Sequence, residues 1–130
     1  MGIGNDILEY NDELETTVRG LAQAFCAQIS TTVPQAEGKV WHGHPVWFID
    51  GNPIAGYSLK KTGLEVLFWS GQSFKTLGLK AIGKFQAAGF QFTSLDDLPK
   101  LNEWLAEAIT IQWDYANLPK KRALEKLTSF

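Results

Sequence analysis

Apolar residues recur at steps of three or four over the first quarter of the chain, at Ile7, Tyr10, Leu14, Val18, Leu21, Phe25 and Ile29. That spacing keeps one stripe of a helix apolar and predicts a single amphipathic helix through these positions. Asn5 or Asn11 is its candidate N-cap, and the acids Asp6, Glu9, Asp12 and Glu13 sit near the positive end of its dipole. Gly20 interrupts the stripe, which predicts a close approach to another backbone. Pro34, after the β-branched Thr31, Thr32 and Val33, predicts where the helix stops.

From Lys39 the period shortens and glycine turns punctuate the chain. Val46 to Ile49 is continuously apolar, Asp50-Gly51-Asn52-Pro53 reads as a turn, and Ile54 to Lys60 alternates. After Lys61-Thr62-Gly63, the residues Leu64, Val66 and Phe68 point one way while Glu65, Leu67 and Trp69 point the other. The segment predicts a three-stranded antiparallel meander. A further strand is expected at Phe90-Gln91-Phe92-Thr93, and a short helix around Leu77 to Phe85.

The last predicted element starts near Asp97, a candidate N-cap that puts Pro99 in the first turn, where its missing N–H is harmless. Leu101, Trp104, Leu105, Ala108, Ile111 and Tyr115 continue at helical spacing. Ile109 to Tyr115 also alternates, the signature of a strand, and the expectation here is that the helix continues. Such a helix is apolar over more than half its circumference, leaving Trp113 or Ile109 for a homodimer contact or for the carboxy-terminal tail. That tail, from Lys120 to Phe130, carries four bases against Glu125 and is read as a short helix.

A chain of 130 residues fits one domain with one core, expected over about residues 5–118, with a basic tail over 119–130. Its 45% hydrophobic and 20% charged fractions exclude a disordered chain. No apolar run approaches the roughly 18 residues needed to cross a bilayer, and the amino terminus is acidic and polar, so the expectation is a cytoplasmic protein with no membrane partner. The net charge of −2 hides a segregation. Residues 1–37 hold six acids against Arg19, whereas residues 38–94 hold six lysines against Asp50 and Glu65. Those lysines are dispersed between turns and strands, which argues against a nucleic-acid partner. The lone Cys26 falls in the apolar stripe and reads as a buried structural thiol.

Chemistry-bearing side chains concentrate between Lys39 and Gln72, yet no spacing there matches a nucleophile elbow, a P-loop or a closed metal site. Trp41, Trp47, Tyr57 and Trp69, with His42, His44 and Gln72 as polar handles, are the candidates for an aromatic ligand groove. On one strand His42 and His44 project to the same side, two metal ligands that need a third from Asp50, Glu65 or Asp114. A hydrolase-like alternative uses either histidine as base with Ser70, Ser73 or Tyr57. None of these lies on a strained strand-to-helix turn, so the reading is non-enzymatic, and Asp96 and Asp97 are assigned as caps. Glu9, Asp12 and Glu13, at i, i+3 and i+4, share one helix face and offer oxygen ligands to a hard cation.

The chain resembles the YdhG-like family of bacterial domains of unknown function. The residues carrying the resemblance are Val40-Trp41-His42-Gly43-His44-Pro45-Val46-Trp47, Asn52 to Ser58, Leu67 to Phe74 and Ile111-Gln112-Trp113-Asp114-Tyr115. The resemblance implies an α+β fold, an antiparallel meander of about four to five strands with the amino- and carboxy-terminal helices on one face, grouped with frataxin and YjbR-like proteins. By analogy with frataxin it implies an intracellular iron-binding or chaperone role, with Glu9, Asp12, Glu13 and Glu15 at the comparable acidic positions. Iron is thus the implied cofactor, and a small-molecule or peptide-binding module is the alternative function.

Overall fold

The computed structural model describes residues 5–60, 63–83, 85–92, 95–116, 124, 126 and 127. Two helices, α1 (Asn5–Asp12) and α2 (Thr16–Thr32), lead into strands β1 (Glu37–Trp41), β2 (His44–Ile49), β3 (Asn52–Lys60) and β4 (Gly63–Phe68). A 3-10 turn at Gly71–Ser73, a two-residue strand β5 (Lys80–Ala81), strand β6 (Ala88–Phe92) and a second 3-10 turn (Leu95–Asp97) precede helix α3 (Leu98–Thr110). The sheet runs in the order β1-β2-β3-β4-β6-β5, and every pairing is antiparallel. The fold is α+β, and the expected meander is extended at both edges.

Alternation decides which face the helices cover. Ala55 and Tyr57 of β3, Leu64, Val66 and Phe68 of β4, and Phe92 of β6 all lie in one cluster with Ile7, Leu21, Phe25, Ile29, Leu101, Trp104 and Leu105 from the helices. The Phe25 ring meets Phe92 at 4.5 Å and Tyr57 at 5.9 Å, and Trp104 meets Phe68 at 6.1 Å. Fully burying each such side chain contributes about 1.5–3 kcal/mol, which is what holds the helices on this side. The other side of the sheet has no helix upon it among the described residues.

The expected single first helix is broken. Its apolar stripe runs on unbroken in sequence, but α1 ends at Asp12 and Leu14 turns back to donate to the Asn11 carbonyl at 3.2 Å. The cause is Asn11, 2% exposed, whose side chain points into the core and accepts a 2.6 Å hydrogen bond from the Tyr57 hydroxyl. Asp6 fixes the other end of α1. One carboxylate oxygen accepts from the Ile7 N–H at 2.9 Å, and the other accepts from the Val40 N–H at 2.8 Å, so the helix caps a donor of the edge strand β1. Glu15, not an asparagine, precedes α2, and it makes no side-chain cap. Helix α2 stops at Thr32 as Pro34 predicts.

Three further expectations are corrected. A Cβ on Gly20 would meet nothing within 4 Å, so no backbone approaches it. The close approach is instead at Gly56, where a Cβ would stand 2.5 Å from the Pro45 carbonyl across β2 and β3. The segment expected to be helical around Leu77 to Phe85 shows no helix among its described residues, which form a loop running into and out of β5. Helix α3 ends at Thr110, and Trp113 instead forms an antiparallel bridge with Lys126. Alternation in Ile109 to Tyr115 outweighs helical spacing there because the extended chain gains partners on both sides. Most of the tail read as a helix lies outside the described residues.

Candidate functional site

Two tight hairpins position the aromatic side chains. Trp41 pairs with His44 across His42 (φ 54°) and Gly43 (φ 87°), and Ile49 pairs with Asn52 across Asp50 (φ 51°) and Gly51 (φ 81°). Positive φ at both central residues is the turn that matches strand twist, and histidine and aspartate tolerate it better than bulkier residues. His42 is therefore a turn residue, not a strand neighbour of His44. Its ring packs at a tilt against Trp41 at a centroid distance of 4.2 Å, and the two histidines do not project from one strand as a ligand pair.

Trp41 is the centre of a patch on the sheet face without helices. Its ring meets Phe48 at 5.4 Å and Trp69 at 6.2 Å, and the Lys39 ammonium lies 4.8 Å from the centre of the Phe48 ring. Trp69 follows the inward-facing Phe68 and so points outward, while its backbone N–H donates to the Ile54 carbonyl at 3.1 Å. Trp41 and Trp69 are half-buried and His42 is exposed. Trp47 and Tyr57 are elsewhere. They face the helices, both with no exposed surface, and their rings meet at 5.8 Å.

His44 is half-buried at the start of β2. Burial holds its imidazole below the usual range, against the pull of the Pro45 carbonyl and together with the charges of His42 and Lys60. Tyr57 sits in the core with Asn11 and Cys26; burial pushes both the phenol and the thiol well up, so each is neutral at ordinary pH. Cys26 is a packed, hydrogen-bonded thiol.

The acids do not gather. Glu9, Asp12, Glu13 and Glu15 are all exposed and span the end of α1, the break and the residue before α2. Among the described residues no three side chains of His, Cys, Asp or Glu form a group able to hold a metal ion.

Comparison of the sequence with family models and with curated proteins gives no match. The fold has a counterpart: the crystal structure of a protein from the DUF1801 family, YdhG of Bacillus subtilis, matches with a TM-score of 0.60 over 91% of this chain and 92% of that one, at 14% identity. The fold is YdhG-like.

Within this YdhG-like fold three of the separated segments that carry the sequence resemblance, those containing Asn52, Ser70 and Trp113, meet at one end of the sheet. The Asn52 carboxamide donates to the Gln112 carboxamide oxygen at 3.1 Å and the Trp113 carbonyl at 2.9 Å, and accepts from the Ala116 N–H at 3.0 Å. The Ser70 hydroxyl accepts the Trp113 backbone N–H, and the Ser73 hydroxyl accepts the Trp113 indole N–H, each at 2.9 Å. Ser73 in turn donates to the Gln86 side chain at 3.0 Å, and Gln72 donates to the Ala87 carbonyl at 2.9 Å. The serines suggested as nucleophiles thus hold residues 111–116 as a strap across the ends of the strands. Of the residues named from the sequence, Trp41, His42 and Trp69 lie next to one another. Phe48 and Lys39, not named from the sequence, lie beside them, and their same-face spacing from Trp41 on β1 and its partner strand is the signal that would have found them. No helix among the described residues is long and apolar enough to cross a membrane.

Proposed function

We propose that the protein is a non-enzymatic binding module of one domain, and that its ligand-binding surface is the sheet face bearing Trp41, His42, Phe48 and Trp69. The observation that carries this reading is the Trp41 ring, in contact with three other rings yet still partly exposed on a sheet face that no described helix covers. Partly exposed aromatic rings, here Trp41 and Trp69 beside the buried Phe48, mark interaction sites when polar groups rim them. Lys39 and the exposed His42 supply polar contacts at the rim, so the fitting ligand is a small molecule or peptide side chain with a flat apolar ring. Iron draws no comparable support, because the acids stay dispersed on the opposite, helical side.

Titration with a panel of small aromatic compounds, read by amide and indole resonances, tests this. Shifts centred on Trp41, His42 and Trp69 that vanish in Trp41→Ala are expected. Ligand shifts confined to other parts of the molecule, with Trp41 and Trp69 unmoved, overturn it.

A further inference from the structure

A cavity of about 270 Å³ lies between the Gly71–Ser73 turn and strands β5 and β6, lined by Gln72, Phe74, Thr76, Leu79 and Ala88 among others. One wall is residues 74–79, a loop with core-packed ends and an open middle. Phe74 packs on Phe68 with ring centres 5.5 Å apart, Leu79 packs against the core, and Leu77 between them is 91% exposed.

Helix α3 holds that loop with two side chains one turn apart. The Glu107 carboxylate accepts the N–H groups of Lys75 at 2.7 Å and Thr76 at 2.9 Å. Trp104 lies directly beneath Gly78, which has φ 118°; a Cβ there would stand 2.9 Å from the ring carbon Cζ2, 3.6 Å from Cη2 and 3.9 Å from Cε2. The indole edge that faces the loop is therefore the one whose Cε2 carries Nε1. Trp104 is 1% exposed, and its Nε1–H is buried without a hydrogen-bond partner among the described residues. Such a donor is costly where it stands and favours any state that brings it an acceptor.

We propose that residues 74–79 are a lid, hinged at Phe74 and Leu79 and latched by Glu107, over a binding site for a small neutral molecule with an apolar body and a carbonyl acceptor. With the lid lifted, the carbonyl accepts the Trp104 Nε1–H and the apolar body packs on Phe74 and Leu79. The lining mixes the apolar Phe74 and Leu79 with the neutral polar Gln72 and Thr76, and the nearby Glu107 carboxylate disfavours an anion. This site is separate from the aromatic sheet face, and its test is read on different residues.

Benzamide is a suitable probe, added to the ¹⁵N-labelled full chain. The Trp104 indole N–H resonance is expected to move downfield together with the amides of residues 75–78, while the Trp41 and Trp69 indoles stay put. In Glu107→Gln, which loses a charge-assisted pair of hydrogen bonds, the Lys75 and Thr76 amides should exchange about tenfold faster. Benzamide should also bind that variant more tightly, because the open state is more populated. A Trp104 indole resonance that does not move up to the solubility limit of benzamide overturns the proposal, as does unchanged exchange at Lys75 and Thr76 in the variant.

Discussion

His44 shows how one side chain links the hairpin to pH. Its folded imidazole binds a proton less readily than an unfolded one, because burial opposes the charge and His42 and Lys60 add to the opposition. A group whose folded value is lowered is protonated first in the unfolded chain, so stability is intact above the ordinary histidine value and declines as pH falls through it. Urea midpoints are expected to drop as pH is taken from about 7.5 to about 5.5, across the ordinary histidine value of about 6.5. His44→Gln should flatten that part of the profile; an identical slope in the variant would assign the loss to other groups. Glu107 titrates at lower pH and is shifted in the same direction, by different causes. Burial would raise its carboxyl, but the Thr76 hydroxyl, the N–H groups of Lys75 and Thr76 and the Lys75 charge outweigh that and hold it below the usual range. The stability it adds is present above the ordinary carboxylate range and is lost only as pH falls through its own lowered value.

At the level of elements, the strap after α3 is held by a handful of polar contacts, and Asn52 makes three of them. Asn52→Ala leaves Gln112, itself 2% exposed, short of a partner and frees the Ala116 N–H. The expected cost is about 2–4 kcal/mol in denaturant unfolding, from lost bonds worth about 1 kcal/mol each plus a buried group left unsatisfied. Tryptophan emission from Trp113 should shift toward the red as its segment loosens, and a fully native spectrum and midpoint would show that the strap stands without Asn52. The same strap marks the limit of what the chain's pattern discloses. Strands β2 to β4 are legible because the Asp50-Gly51 turn sets the hairpin and the alternation of β4 fixes its buried face. The end of α3 is not, because helical and alternating spacing coincide over Ile109 to Tyr115 and only distant partners, Ser70, Asn52 and Lys126, decide between them. The break after α1 is hidden for a related reason: Asn11 looks like a surface or cap residue until Tyr57 supplies the buried hydroxyl it accepts.

Across the whole molecule the five tryptophans divide into different physical roles, and this is what makes the candidate surface testable. Trp47 and Trp104 are sealed between sheet and helices, Trp113 pins the strap, and Trp41 and Trp69 lie half-open on the far side of the sheet. Aromatic clustering in the sequence located the neighbourhood of the site but could not sort its residues, because Trp41 and Trp47 lie on adjacent strands of one hairpin and on opposite faces. Face assignment follows from register, which the His42-Gly43 turn sets: a one-residue slip would exchange Trp47 for its neighbours on the helix side. If the far side is a binding surface and not a second core, its aromatic residues should contribute little to folding. Trp47→Ala is expected to cost about 3–5 kcal/mol, as large-to-small changes in a packed core do. Trp41→Ala should cost only about 1–2 kcal/mol, in proportion to the smaller area it shields from water. Equilibrium unfolding of the two variants separates the cases. Equal losses would mean that the Trp41 face is packed as tightly as the helix side, and the rings there would then be scaffold, with no surface left over for a ligand.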